Sequence, residues 1–222
     1  MLTSNRGPIA ACLSLFVATT AAPAIAQEEP PEPMGPVTVS GSVTLASEYR
    51  FRGIDQSGGE FAIQGSVDAA HESGFYVGAW ASSLDEDTVG FGSTELDIYG
   101  GWSGDVAEGL TANVGALAYI YPDAGAGDFD YYEGYGSLTF AIGPAEATGG
   151  IAYAPKQDGL GGNDNLYLYT DVGFGIPDTP VTITGHIGYT DGALTFTDDG
   201  DAFDWSIGAE AAIAGTPLTI SA

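Results

Sequence analysis

Cations are the scarcest feature of this chain: four Lys or Arg residues stand against thirty Asp or Glu in 222 residues, a formal net charge of −26. With no basic face to meet phosphates, nucleic acid is excluded as a partner. Cysteine is almost missing too. Cys12 stands alone, so the chain can form no internal disulfide and no thiolate metal site. Long apolar runs are missing beyond the N-terminus, where no segment approaches the about 18 consecutive apolar residues of a membrane-spanning helix. Helical stripes are missing as well, since no stretch repeats its apolar residues at a helical period. What is present in quantity is glycine, 34 residues, and aromatics, 11% of the chain. A hydrophobic share of 44% separates the chain from a disordered acidic tail, and its length suits one domain.

The first 26 residues read as a secretory signal peptide. Arg6 supplies the positive start, Ile9 to Ala22 the apolar stretch, and Ala24-Ile25-Ala26 the small-residue cleavage site. A membrane anchor fits less well, because the stretch is short, diluted by Thr and Ser, and followed by Pro23. Ile9-Ala10-Ala11-Cys12 has the form of a lipid-attachment tetrad, but almost no hydrophobic segment precedes it. Residues 27–36 form a Glu/Pro-rich flexible leader, in which Pro30, Pro31, Pro33 and Pro36 bar a helix or a sheet interior. Residues 37–222 are then the exported domain. A chain exported without a membrane helix can still cross a membrane as a closed β-barrel.

From Val37 onward the pattern has period two. Val37, Val39, Gly41, Val43, Leu45, Tyr49 and Phe51 share one face of the first segment, while Thr38, Ser40, Ser42, Thr44, Glu48, Arg50 and Arg52 share the other. Strands are expected over 37–52, 60–70, 74–84, 94–103, 110–121, 131–142, 146–154, 165–175, 180–190, 203–213 and 217–222, the last cut by the end of the chain. The alternation persists late: Val181, Ile183, Ile187 and Tyr189 oppose Thr182, Thr184, His186 and Thr190. Phe203, Trp205, Ile207, Ala209 and Ala211 likewise oppose Asp204, Ser206 and Glu210. Ten residues at about 3.3 Å each, tilted by roughly 40°, cover about 25 Å, the height of the apolar band of a membrane barrel.

The connections alternate in length. Odd strands are followed by long loops, such as 53–59, 85–93, 122–130, 155–164 and 191–202; even strands by short links at 71–73, 143–145, 176–179 and 214–216. The link at 104–109 is intermediate. A soluble β-sandwich gives no reason for such a rule, whereas a bacterial outer-membrane barrel has short turns on one side and long loops on the other. The expected fold is therefore all-β, an antiparallel up-and-down transmembrane β-barrel of about 10–12 strands. Its closing strand is expected to be missing, because eleven is odd.

Several motifs carry a family resemblance: SEYRFRGIDQS over residues 47–57, QGSVD over 64–68, SGFYVGAW over 73–80, ELDIYGG over 95–101, YIYP over 119–122 and YYEGY over 131–135. In this order and over most of the chain they resemble the TorF-type family of outer-membrane porins. The resemblance implies a barrel in the outer membrane of a Gram-negative bacterium and supplies no catalytic residues. Asp55 stands where that family more often has Ser, and a terminal aromatic strand of the family type is not matched at Ala222.

Candidate pore-lining residues are Glu48, Arg50, Arg52, Asp68, Glu95, Asp97, Glu133, Asp171, His186, Asp204 and Glu210, all on polar faces. Arginine on a lipid face costs about 2–4 kcal/mol at mid-depth, so Arg50 and Arg52 belong inside, against acids of other strands. A plain structural salt-bridge cluster is the competing account, because small barrels are filled by side chains. Acids in the loops (Asp85, Glu86, Asp87, Asp123, Asp128, Asp130, Asp158, Asp164, Asp198, Asp199 and Asp201) lack the ligand ladder of a calcium loop and read as solvated surface. Most aromatics fall near strand ends, as interfacial girdles do, with inward stacking platforms as the alternative. His186 with Asp171 and Asp204 suggests an acid–His pair, yet no nucleophile motif accompanies it. No enzyme activity, cofactor or metal is expected.

The sequence thus points to a porin that passes small polar solutes or cations, with outer-membrane lipid around it. The alternative is a non-conducting barrel whose acidic loops bind a partner or an ion. A narrow interior filled by Tyr, Glu and Arg would favour that alternative.

Overall fold

The structure is a computed structural model that describes residues 36–125, 127, 129–195 and 197–222. The expected signal peptide and almost all of the leader lie outside the described residues. The remainder is all-β. Its main sheet contains β1 (Val37–Ala46), β4 (Ala62–His71), β5 (Phe75–Ser83), β6 (Thr94–Ala107), β7 (Leu110–Ile120) and β8 (Tyr131–Ile142). It continues through β9 (Ala145–Gln157), β10 (Asn163–Gly175), β11 (Val181–Gly192), β12 (Asp201–Ala212) and β13 (Thr219–Ser221). These eleven strands lie side by side in chain order, every neighbouring pair antiparallel. Two short strands, β2 (Arg50–Phe51) and β3 (Ile54–Asp55), form a separate ribbon.

Loop lengths follow the alternation in part: 158–162, within a loop expected to be long, has five residues, as does 176–180, and 213–218 has six. Two residues join β6 to β7 and β8 to β9 at one rim, as 108–109 and 143–144, and three join β4 to β5, as 72–74. The link that looked intermediate in sequence is among the tightest, because β6 runs on to Ala107. The opposite rim carries 47–61, 84–93, 121–130 and 193–200, with one helical turn, α1 (Glu86–Val89), inside the second. Asp85 caps that turn by accepting from the Thr88 amide, and Gly90 ends it in the left-handed region.

The first strand departs from expectation. Its alternation was expected to run to Arg52, but β1 stops at Ala46 and the chain bends inward. The Tyr49 amide donates to Ser57 Oγ at 2.9 Å, and the Gln56 amide donates to the Tyr49 carbonyl at 2.8 Å. Arg52 (φ +47°) and Gly53 (φ +81°) make the two-residue turn between β2 and β3. Positive φ at both central positions matches the twist of paired strands. Gly53 also lies against β12: a β-carbon there would lie 2.8 Å from Asp204 Cβ.

The sheet is rolled about one face. Tyr76 on β5 and Tyr135 on β8 join hydroxyls at 2.6 Å, although two strands separate them. The roll is not closed into a barrel; the expectation was a barrel lacking its closing strand. β1 pairs only with β4, and β13 pairs only with β12, through Thr219, Ile220 and Ser221. Three rungs near the Glu210 end of β12, followed by reciprocal backbone bonds between Ala209 and Ala222, leave its Asp201–Gly208 stretch without a strand on that side among the described residues.

Polarity across the wall is inverted relative to an ordinary domain, whose large apolar side chains are the most often buried. Val43 (72% exposed), Phe203 (75%), Trp205 (77%) and Ile207 (75%) stand on the outer face, while Glu95, Asp97, Glu133 and Asp204 are buried on the inner one. The aromatics fall on both faces. Phe75, Phe140, Phe174, Phe203 and Trp205 point outward, whereas Tyr49, Tyr99, Tyr119, Tyr131 and Tyr167 are buried inside. The girdle expectation is thereby corrected for these tyrosines. Inward glycines make room for them: a β-carbon at Gly78, Gly115, Gly150 or Gly188 would strike the ring of Tyr99, Tyr135, Tyr169 or Tyr167. Part of the glycine excess is therefore a floor for inward tyrosines.

Candidate functional site

The site is the polar interior, built layer by layer from inward positions of neighbouring strands. Pairing fixes its rows, since residues directly opposite in an antiparallel pair project to one face. Glu95 stands opposite Ser82, and Ser82 opposite Gln64. Asp97 stands between Trp80 and Tyr119, and Tyr119 opposite Tyr131. These rows lie near the long-loop rim.

Arg52 occupies the centre of that region. Both of its terminal nitrogens donate to Glu133, at 2.9 and 2.7 Å, the bidentate geometry that suits guanidinium to carboxylate. Its guanidinium carbon lies 4.3 Å from the Tyr167 ring centroid and 4.7 Å from that of Phe51. Tyr119 donates to Glu133 Oε2 at 3.0 Å and stacks on Tyr131 with centroids 4.3 Å apart. Tyr49, fully buried, donates to Glu95 Oε2 at 3.0 Å and meets Trp80 edge-on. Leu117, Ala154 and Leu160 complete the packing. Asp97 is also fully buried, and neither of its oxygens has a hydrogen-bond partner among the described residues.

A second group lies deeper. His186 on β11 sits between two carboxylates, Nδ1 at 2.6 Å from Asp171 Oδ1 and Nε2 at 2.8 Å from Asp204 Oδ1. Tyr167 OH approaches the same Nε2 at 2.9 Å. With a carboxylate on each ring nitrogen, the imidazole best satisfies both by carrying two protons. It then has no free lone pair to act as a base toward a serine, so the acid–His constellation reads as a structural clamp. Asp68 accepts from Tyr99 OH at 2.5 Å, and Tyr76 bridges Tyr135 and Asn113.

Of the eleven candidate lining residues, Arg52, Glu95, Asp97, Glu133 and Asp204 are buried together, and Asp68, Asp171, His186 and Glu210 lie half-buried on the same inner face. Glu48 and Arg50 are not among them. They form an ion pair with each other at the bend, with the Arg50 side chain 42% exposed and its Nη1 donating to the Gly53 carbonyl. The expectation that both arginines face acids on distant strands is corrected: the bend after Ala46 breaks the shared parity, and only Arg52 reaches across. The tyrosines were the functional residues the parity argument could have found. Tyr131 precedes Glu133 by two, and Tyr167 and Tyr169 precede Asp171 by four and two, so all lie on the acids' face.

Among the described residues no three His, Cys, Asp or Glu side chains converge as a metal site, and Asp128 lies outside the described residues. Asp123 instead ties two loops together, accepting from the Ser93 amide at 3.0 Å and from the Ser93 hydroxyl. Those bonds hold its carboxyl below the usual carboxylate range.

A family model described as a bacterial protein of unknown function, Gcw_chp, matches residues 30–222, so the chain belongs to that family. Neither a curated protein nor a solved structure matches the chain.

Proposed function

We propose that this member of the Gcw_chp family is an outer-membrane β-barrel protein that is stoppered at its long-loop end. One observation carries the reading: the inverted wall, with Val43, Phe203, Trp205 and Ile207 outside and Glu95, Asp97, Glu133 and Asp204 buried within. Water would not tolerate so continuous an apolar outer face on a lone domain, and lipid requires it. Strands of nine to fourteen residues suit the thickness of the apolar band. Closure in the membrane would join the β1 edge to the far side of β12.

The stopper is the segment after β1. Arg52, Tyr49 and Phe51 fill the interior against Glu133, Glu95, Tyr119 and Tyr167. In this reading the long acidic loops are the outward contact surface, for a cation or a partner, and solute does not flow freely. The porin reading is the second one. The acid-rich interior favours it, since Glu95, Asp97, Asp68 and Glu210 would pass cations and small polar solutes if the stopper withdrew.

Planar-bilayer recording of refolded protein under a KCl gradient separates the two. Inserted protein without steady steps, which opens to cation-selective steps when Arg50–Asp55 is replaced by a Gly/Ser link, supports the stoppered barrel. Steady cation-selective steps from the unaltered chain would establish the porin reading instead. Protein that stays in solution and never enters lipid would overturn both.

A further inference from the structure

We propose that Asp97, with Glu95 two residues away on the same inner face of β6, seats a divalent cation in the interior. The inference does not depend on what surrounds the sheet, because it rests on what the interior contains.

Asp97 is fully buried, and both of its oxygens are without a hydrogen-bond partner among the described residues. A carboxylate in that state is strongly unfavourable unless it meets a counter-charge. The cations nearby are already committed. Arg52 gives both terminal nitrogens to Glu133, and Arg50 is paired at the bend with Glu48. Within the layer, Glu95, Asp97 and Glu133 therefore stand against one guanidinium. With all three carboxyls ionised two negative charges remain, the charge that one divalent cation balances.

The donor chemistry is that of a hard cation. Asp97 and Glu95 supply carboxylate oxygens, and Glu95 has Oε1 to spare, because the Tyr49 hydroxyl takes Oε2. Ser82 and Gln64 follow Glu95 in the same cross-strand row, and Gln64 Nε2 is likewise buried without a partner. Rotating that amide by half a turn presents its carbonyl oxygen in place of the unpartnered nitrogen. No histidine or thiolate takes part, so a soft or imidazole-seeking metal has nothing to hold. Trp80 and Tyr119 flank Asp97 on the two neighbouring strands, which places two aromatic energy donors against the ion.

Because the site is enclosed, the test loads it during folding. Full-length protein is refolded in detergent micelles with Ca²⁺ or with chelator, and its thermal midpoint is compared; Tb³⁺ in place of Ca²⁺ is read by luminescence sensitised through Trp and Tyr. The expected result is a higher midpoint with Ca²⁺ and a Tb³⁺ signal that Ca²⁺ competes away. Asp97→Asn should abolish the shift and weaken Tb³⁺ binding at least about tenfold. Asp87→Asn in the exposed loop should leave both intact. Glu95→Gln, whose amide oxygen keeps the packing, serves as the second variant should Asp97→Asn fail to fold. The proposal is overturned if the shift survives at Asp97→Asn, whether or not the loop variant removes it. It is equally overturned if Ca²⁺ changes nothing while infrared spectra show a protonated carboxyl that Asp97→Asn removes, since a proton would then be the counter-charge.

Discussion

The two halves of the rolled sheet have the same wall and different contents. Toward the long loops the interior is packed: Tyr49, Asp97, Asn165 and Thr190 are fully buried, and Glu95, Glu133, Tyr119 and Tyr131 nearly so. Toward the short turns the inward residues, such as Asp68, Ser137, Thr148, Thr182 and Glu210, remain half-buried, and Glu146 is exposed. Strand composition does not explain the contrast, because acids and hydroxyl residues occur along the whole inner face. Connection length does. A two-residue turn such as 143–144 cannot reach inward, whereas the fifteen residues between β1 and β4 fold into the interior and bring their own tyrosine, phenylalanine and arginine. Whichever rim carries the long connections supplies its own stopper.

The two arginines of that segment break the comparison most sharply. Arg52→Ala would leave Glu133 buried without its partner, beside Glu95 and Asp97, at a cost of about 3–5 kcal/mol. Arg50→Ala removes a half-exposed pair and should cost under about 1 kcal/mol. Urea unfolding in micelles checks both. Equal losses would mean that the stopper is not held by the Arg52–Glu133 pair.

A smaller effect, and one that sharpens the wall itself, comes from placing one charge on either face. Ile207→Arg puts a guanidinium on the outer face of β12, where about 2–4 kcal/mol of folding stability in lipid should be lost at mid-depth. Thr182→Arg points inward opposite Glu210 and should fold in vesicles about as well as the unaltered chain. Indifference at Ile207 in vesicles, with no loss relative to Thr182→Arg, would remove lipid from the argument.

The wall was far more legible in the sequence than the stopper. Alternation located all eleven strands and assigned Trp205, Ile207 and His186 to their faces, because a strand buried on one side cannot slip by one residue without reversing every side chain. The link at 104–109 was the weak point of the loop rule, and the structure resolves it as a tight turn. The stopper escaped for a physical reason. Tyr49 and Phe51 keep the outward parity of Val43 and Leu45, so the pattern continues through Ser47 even though the backbone does not. What bends the chain is non-local: Ser57 and Gln56 return to Tyr49, and Asp204 leaves space only for a glycine at position 53. No periodicity in a single strand encodes a partner 81 residues away, which is the separation of Arg52 from Glu133. Closure is the other shortfall, since strand count and loop rule speak of a barrel while three rungs on β13 do not join its edges.

The smallest expected effect concerns the long-loop rim rather than the interior behind it. Asp123 holds the 84–93 and 121–130 loops together through the Ser93 amide and hydroxyl, and those bonds lower its affinity for a proton relative to the unfolded chain. A carboxyl depressed in this way contributes its full stabilisation above the ordinary aspartate range. The contribution is lost as pH falls toward the depressed folded value. Amide exchange over residues 91–94, corrected for intrinsic rate, should therefore quicken on acidification, whereas the core strands around Glu133 hold their protection across the same range. Asp123→Asn should give the quickened exchange already at neutral pH and flatten its pH dependence. If acid loosens the Glu133 region together with the rim, the loops and the stopper form one cooperative unit, and the boundary between the two regions lies deeper than the Ser93–Asp123 tie.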